Sequence, residues 1–504
     1  MNVLLLRPPL AFGESSATTL LCPPLGLAYI AAAVRAAGHE TTCIDASGEA
    51  PFQQTSDGQG LRHIGLTHAE VIARIGAAAP DVVGVSVLFS QDWPATRDLL
   101  IDIKAAFPAL RLIAGGEHIS ALPQLCLAQC SALDICVRGE GEDTTIDVLD
   151  AIATGRPLST VLGIVFRAGA GGEAIETMAR PRLEVGGMRW PAWDLVPLES
   201  YLANGLSYGV NRGRTMPMLA SRGCPYQCTF CSSPDMWHPI WRVRPVDDVI
   251  AEMAHAIETY RAECFDFYDL TTVIRREWIL EFCQAILARG WKITWQMPSG
   301  TRSEALDADV LDAMFRSGNR YIVYAPESGS TDTLKAVHKN IDLDRMSTSI
   351  RAAVATGASV KLNMIIGLPT EGWRDAWATI RFLVRMAWAG VEDTFVASFT
   401  PYPGSALFAQ MAADNRLPPL DDRYFRELAS IASFANSHSY SAQLSNRTIT
   451  ALRVTAMLLF YGVGFARNPS RVVRMLRNLW HNREESRLEL GLLDLKWRWF
   501  GRRA

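Results

Sequence analysis

The chain is poor in cysteine, ten residues in 504, and its formal net charge is only −3. A near-neutral balance excludes a general polyanion-binding surface, so no nucleic-acid partner is expected. The apolar start, MNVLLLRPPL, lacks a basic leader segment and is interrupted by Pro8 and Pro9. It reads as a first β-strand, not as a signal peptide. Cysteines without secretory context point to a reducing compartment, the cytoplasm, where clustered thiols suggest a metal or catalysis before disulfides. The most apolar run near the C-terminus, Val454 to Ala466, spans thirteen residues, too short for a membrane span. No short-period repeat and no low-complexity tract occurs, so a repeat architecture is not expected.

What is present is ordinary globular composition, 49% apolar and 20% charged, in a chain long enough for two to four domains. Over residues 1–150, buried runs such as NVLLLRP, DVVGVSVLF and LRLIAGGEH alternate with helical stretches such as GLAYIAAAVRAAGH. That alternation predicts an α/β, doubly wound, Rossmann-like parallel sheet. Ligands of such sheets lie beyond the strand carboxyl ends. Here those ends are Pro8-Pro9, Ser86 to Ser90, GGEH (115–118) and GEGE (139–142). Gly115, Gly116 and Gly141 would let a ligand approach the backbone, with Ser86 and Glu140 beside it. Residues 151–215 read as a connector containing a short hairpin, GIVFRAGAGGEAI. From 216 to 415, six candidate strands with intervening helices predict a partial (β/α)6 barrel, whose site lies at its strand carboxyl ends. Residues 416–504 read as helical.

The first barrel strand runs straight into SRGCPYQCTFCSSP, which carries Cys224, Cys228 and Cys231. Structural zinc normally takes four protein ligands, and no second CxxC pair follows. Cys264 and Cys283 read as core. Three thiolates on one loop suit a cubane iron–sulfur cluster with one iron left open. A second loose group, Cys126, Cys130 and Cys136, falls on a helix and an apolar strand and reads as buried structural thiols.

This loop resembles the signature of the radical S-adenosylmethionine superfamily. APESGSTDTLKAVHK (325–339), NMIIGLPTEG (363–372) and FTPYPGSALF (399–408) resemble further elements of that family, in the same order. The resemblance implies that the three cysteines hold a 4Fe-4S cluster whose open iron binds S-adenosylmethionine. It implies that Phe230 packs near the adenine, and that Ser299, Arg302 and Glu327 contact the same cofactor. Asp269 stands where many relatives carry a pair of acidic residues; here Leu270 follows it. For Glu327, the partner expected is the ammonium of the bound cofactor, because a buried carboxylate needs a cation or donor.

The N-terminal sheet resembles the cobalamin-binding domain fused to one branch of the superfamily. No DxHxxG motif is present, and His118 reads as a loop hydrogen-bonder in place of a cobalt ligand. The resemblance implies a C-methyltransferase acting, through a 5′-deoxyadenosyl radical, on an unactivated carbon of a small-molecule substrate. Natural products, tetrapyrroles and lipids are the substrate classes considered. Oxidative cyclisation or rearrangement with the same cofactors is the alternative, and methylthio transfer to transfer RNA a distant one. A flavodoxin- or ferredoxin-type protein would supply electrons. No motif identifies a general acid or base. Trp237, Trp241, Trp295 and Tyr324 lie near strand ends and would suit a flat substrate, although such residues more often pack.

Charge is uneven along the chain: from Ser445 to Ala504 there are twelve Lys/Arg against four Asp/Glu. Two readings stand for this tail. One is a helix packed on the barrel with solvated arginines; the other is a peripheral membrane contact.

Overall fold

The computed structural model describes all residues except 15, 17–19, 170–171, 430–436 and 501–504, and the side chains of 498–500. The N-terminal sheet contains β1 (Asn2–Arg7), β2 (Glu40–Asp45), β3 (Val82–Ser86), β4 (Arg111–Gly115), β5 (Ile135–Val137), β6 (Ile164–Arg167) and β7 (Ala174–Glu176). Its order is β7-β6-β5-β4-β3-β1-β2. The five strands from β2 to β5 pair in parallel, whereas β6 and β7 add as an antiparallel edge. The predicted hairpin of the connector therefore extends the first sheet, with its turn outside the described residues. Strand order reverses between β1 and β3, which makes the ends at Arg7 and Ser86 the ligand crevice of this topology.

The second sheet is wholly parallel, in chain order: β8 (Thr215–Met218), β9 (Cys264–Phe267), β10 (Thr294–Thr301), β11 (Asn319–Glu327), β12 (Ser359–Ile366) and β13 (Asp393–Ser398). Helices Val246–Tyr260, Arg276–Arg289, Ala308–Arg316, Leu343–Thr356 and Trp373–Ala389 follow its first five strands. Side chains of Asp307 and Asp342 cap two of these helices. Such caps satisfy otherwise orphaned amide groups, each worth about 1 kcal/mol. Along β12, Val360, Leu362, Met364 and Ile366 are buried in one core with Ile380 and Leu383 of the outer helix. Burial of each such side chain contributes about 1.5–3 kcal/mol. With period two, this turns Lys361, Asn363 and Ile365 to the barrel interior, where each keeps some exposure.

Two features differ from expectation. Leu10–Gly13, Gln54–Ser56 and Leu61–Ile64 form a small antiparallel sheet beside the first one. The C-terminal apolar run lies within one helix, Asn446–Arg467, long and apolar enough by length and composition to cross a membrane. In the fold its residues Ile449, Leu452, Ala456 and Phe460 pack into the barrel core.

Candidate active site between the two sheets

A two-residue antiparallel ladder, Ser221–Arg222 with Arg242–Val243, brackets the cysteine loop. Gly223 turns the chain into the loop at φ +82°, and a Cβ there would lie 2.1 Å from the Ile240 carbonyl oxygen. Only glycine fits that approach. Further on, the Thr229 amide donates to the Val337 carbonyl (3.0 Å), and the Leu407 amide donates to the Thr229 carbonyl (2.8 Å). The ESGS and final-strand elements are thus tied to the loop through its backbone.

Cys228 is buried, Cys224 and Cys231 are partly exposed, and all three are free thiols. Burial pushes each thiol up; Lys339 and Arg302 pull Cys224 and Cys228 the other way. Among the described residues no three His, Cys, Asp or Glu side chains converge on a single-ion site. Three thiols on one loop beside two cations fit a polynuclear, anionic thiolate-bound cluster better than one zinc ion.

Around the loop stand the other candidates. Phe230 packs against Val337, Leu368 and Phe399. Glu327 ends β11 at φ +65°, and its carboxylate accepts from the Lys339 ammonium at 2.9 Å. The chain itself therefore supplies the cation that was expected from a ligand. Burial opposes charge on Lys339, but Glu327 and Cys228 together hold its pKa above the ordinary value. Arg302 is buried, with its guanidinium carbon 3.7 Å from the centre of the Tyr226 ring, and it donates to the Glu304 carboxylate and the Asn340 carbonyl. Ser299 keeps some exposure beside Tyr208. Asp269 is fully buried, and burial raises its carboxyl to about 6. It accepts from the Ala220 amide (3.1 Å) and the Ser221 hydroxyl (2.5 Å), so both oxygens hold the segment entering the cysteine loop.

The strand-end loops of the first sheet close onto this loop. Arg222 donates to Glu142 and Glu140, and Arg242 donates to Glu140, in a group of buried and near-buried charges. The Ser232 hydroxyl donates to Glu117, and the Ser90 amide donates to the Tyr402 hydroxyl at 2.8 Å. Glu140, expected to border a ligand, is thereby spent on two arginines. The glycines also differ from expectation. A Cβ on Gly116, at φ +113°, would lie 2.4 Å from the Val87 carbonyl oxygen, and one on Gly141 would lie 2.9 Å from Ile30. The Val87 backbone and the positive φ require glycine at 116, whereas at 141 only the end of the Ile30 side chain is in the way. Gly115 has room for a side chain, its nearest neighbour being 3.7 Å away, and Ser86 lies opposite it in register. Beyond Ser86, Leu88 and Phe89 are exposed at the topological crevice. They give an apolar platform of the kind a flat macrocycle needs.

His118 is wholly buried between Trp93 and Phe425, with its Nδ1 2.9 Å from the Ser90 hydroxyl. Burial lowers its pKa to about 3, so it is a neutral core residue. Cys126, Cys130 and Cys136 are buried as well. Trp295 and Tyr324 are core, and Trp237 and Trp241 pack against Arg222 and Arg275. Sequence reasoning missed Arg222, Arg242, Glu117 and Glu142, because their partners lie far away in the chain.

A flavodoxin-type sheet closed over the open end of a six-stranded barrel, with three thiols at the junction, defines a radical enzyme with two cofactor domains. Residues 17–149 match the family described as B12 binding domain, and residues 218–383 match the radical SAM superfamily. A protein of Pyrococcus horikoshii named as an uncharacterized methyltransferase is 28% identical over 88% of this chain and 90% of its own length. The cytidylyl-2-hydroxyethylphosphonate methyltransferase of Streptomyces wedmorensis is 30% identical over 80% of each chain. In fold, the radical S-adenosylmethionine methyltransferase TsrM of Kitasatospora setae, solved with cobalamin and a [4Fe-4S] cluster, is similar at a TM-score of 0.64 and 16% identity, over 82% of this chain and 78% of that one. The chain belongs to the radical S-adenosylmethionine superfamily, in the branch that carries a B12-binding domain. Its cofactors are a 4Fe-4S cluster, S-adenosylmethionine and cobalamin.

Proposed function

We propose that this enzyme methylates an unactivated carbon of a small molecule. The observation that carries the reading is the docking of the cobalamin-type sheet, through Glu117, Glu140 and Glu142, onto the loop of the three cysteines. When bound, the cofactors supply a carbon-centred radical and a transferable methyl group. The residues of the chain do the rest. Cys224, Cys228 and Cys231 hold the cluster, while Phe230, Ser299, Arg302 and Glu327 line the place of S-adenosylmethionine. Lys339 pairs with Glu327, and Asp269 positions the loop through Ser221. The division at 150, 215 and 415 belongs to this reading, as does a flavodoxin- or ferredoxin-type electron donor. Closure of one sheet over the other excludes water from the mouth, which a radical intermediate requires. Counting S-adenosylhomocysteine against 5′-deoxyadenosine during turnover tests the assignment.

A peripheral contact with an anionic bilayer forms the second part of the proposal. Trp373, Trp377 and Trp388 are exposed along one face of the helix Trp373–Ala389. Leu458 on Asn446–Arg467, and Val473, Leu476 and Trp480 on Ser470–Trp480, are exposed as well. Arg374, Arg381, Arg385, Arg447, Arg467 and Arg477 are exposed on the same three helices. Their one carboxylate, Asp375, accepts from Ser330. Tryptophan with arginine is the composition that settles at a lipid headgroup layer. A second copy of the chain docked here two-fold would set arginine against arginine.

A further inference from the structure

The barrel interior holds a cation that the cofactor site does not use. Lys361 faces inward from β12, keeps some exposed surface and, among the described residues, forms no hydrogen bond or ion pair. Its nearest acid is Asp393, directly opposite in register on β13. That carboxylate is already taken: Oδ1 accepts from the Tyr461 hydroxyl (2.5 Å) and the Thr394 amide (2.9 Å), and Oδ2 accepts from the Arg487 amide (2.7 Å). Asp266, also inside the barrel, accepts from the Gly209 amide at 2.6 Å. Glu327 is paired with Lys339. Asp393 and Glu327 are thus occupied, Asp266 keeps a buried Oδ1 with no hydrogen-bond partner among the described residues, and the Arg487 side chain adds positive charge near Lys361. Burial lowers the Lys361 amine to about 8, against the pull of Asp393.

A second polar group stands in the same space. Asn363, two residues along β12, has a buried Oδ1 with no partner. The space beside Gly300 places it level with Ala325, one residue from Ser299, on the interior side of the barrel. The Phe395 ring, 5.6 Å from the Lys361 ammonium, walls one side, and Val210, Tyr321 and Val323 form an apolar cluster in the interior. An unpaired ammonium and an unpaired amide oxygen set among apolar side chains are costly to keep. A folded chain keeps such groups where a ligand completes them.

We propose that Lys361 and Asn363 form an oxyanion-holding subsite in the barrel interior, so that the substrate carries a phosphate, phosphonate or carboxylate group. The inference rests on the methyltransferase reading and names the substrate class. Lys361 supplies the charge-assisted donor, Asn363 supplies an amide donor together with an acceptor for a protonated oxygen or hydroxyl, and Phe395 walls the adjoining carbon skeleton.

The test needs no turnover, so its failure is separable from failure of the methyl-transfer reading. The reconstituted holoenzyme and its Lys361→Met and Asn363→Leu variants are melted in inorganic phosphate and in chloride of matched ionic strength. Wild-type melting temperature should rise with the logarithm of phosphate above its dissociation constant. Lys361→Met should bind phosphate about tenfold or more weakly. The same variant should melt higher than wild type in chloride, because it removes an unpaired buried charge. Asn363→Leu should bind more weakly without that gain. Absence of a phosphate shift in wild type, or an equal shift in Lys361→Met, overturns the proposal. A lower melting temperature of Lys361→Met in chloride also overturns it, since Lys361 would then be a structural counter-ion of Asp393.

Discussion

Arg222, two residues before Cys224, is ion-paired with Glu142, the first residue of the helix that follows the end of β5. Glu140 accepts from the same guanidinium at 3.2 Å, and Tyr29 and Trp237 stack against it. The cysteine loop is therefore anchored on the opposite sheet as well as on its own barrel. Replacement Arg222→Met would leave Glu142 without its cation, while Glu140 keeps Arg242, and should cost about 3–5 kcal/mol. Urea unfolding followed by fluorescence and by cluster absorbance should show it, with cluster loss preceding barrel unfolding.

Much of this arrangement was legible in the sequence. The cysteine loop follows its strand directly, so spacing alone placed three thiols at the barrel mouth. The apolar run of β3 and the alternation of apolar residues with Lys361 and Asn363 along β12 were equally plain. The small sheet of Leu10–Gly13, Gln54–Ser56 and Leu61–Ile64 was not, because Gln54, Thr55 and Ser56 are all exposed and carry no apolar alternation. Glycine at 116 suggested a ligand, whereas the Val87 backbone is what requires it. Glu327 lacked a visible partner, since Lys339 lies twelve residues on, past the short helix Thr331–Ala336. Contacts such as Arg222 with Glu142 join residues eighty positions apart, and no local pattern reports them.

His118 gives a pH test. Its pKa is about 3 when folded, against an ordinary value of 6.5, because burial disfavours the imidazolium. Between those values the unfolded chain binds a proton that the native chain does not. Stability from this group is therefore present at neutral pH and lost as pH falls from about 6.5 toward 3. The loss is about 1.4 kcal/mol per pH unit. Replacement His118→Phe should flatten the stability–pH curve by one proton in that window. The cobalamin absorption band should persist, because the imidazole is enclosed by Trp93 and Phe425.

The tryptophan and arginine face predicts binding to vesicles. Wild-type protein should sediment with vesicles containing anionic lipid at low salt and less so at high salt. Trp377→Ala combined with Trp388→Ala should reduce binding about tenfold with no change in melting temperature, since both rings are exposed. Equal sedimentation with neutral and anionic vesicles, or none at either salt, would contradict the assignment.

In the proposed reaction one enzyme uses S-adenosylmethionine both as a methyl source and as a radical source. The most direct measurement is the ratio of S-adenosylhomocysteine to 5′-deoxyadenosine formed per methylated product in the reconstituted holoenzyme. One of each is expected, with Cys228→Ala losing the 5′-deoxyadenosine and the methylated product while retaining the cobalamin band. Turnover that yields 5′-deoxyadenosine without S-adenosylhomocysteine would contradict methyl transfer and leave a cyclisation or rearrangement in its place.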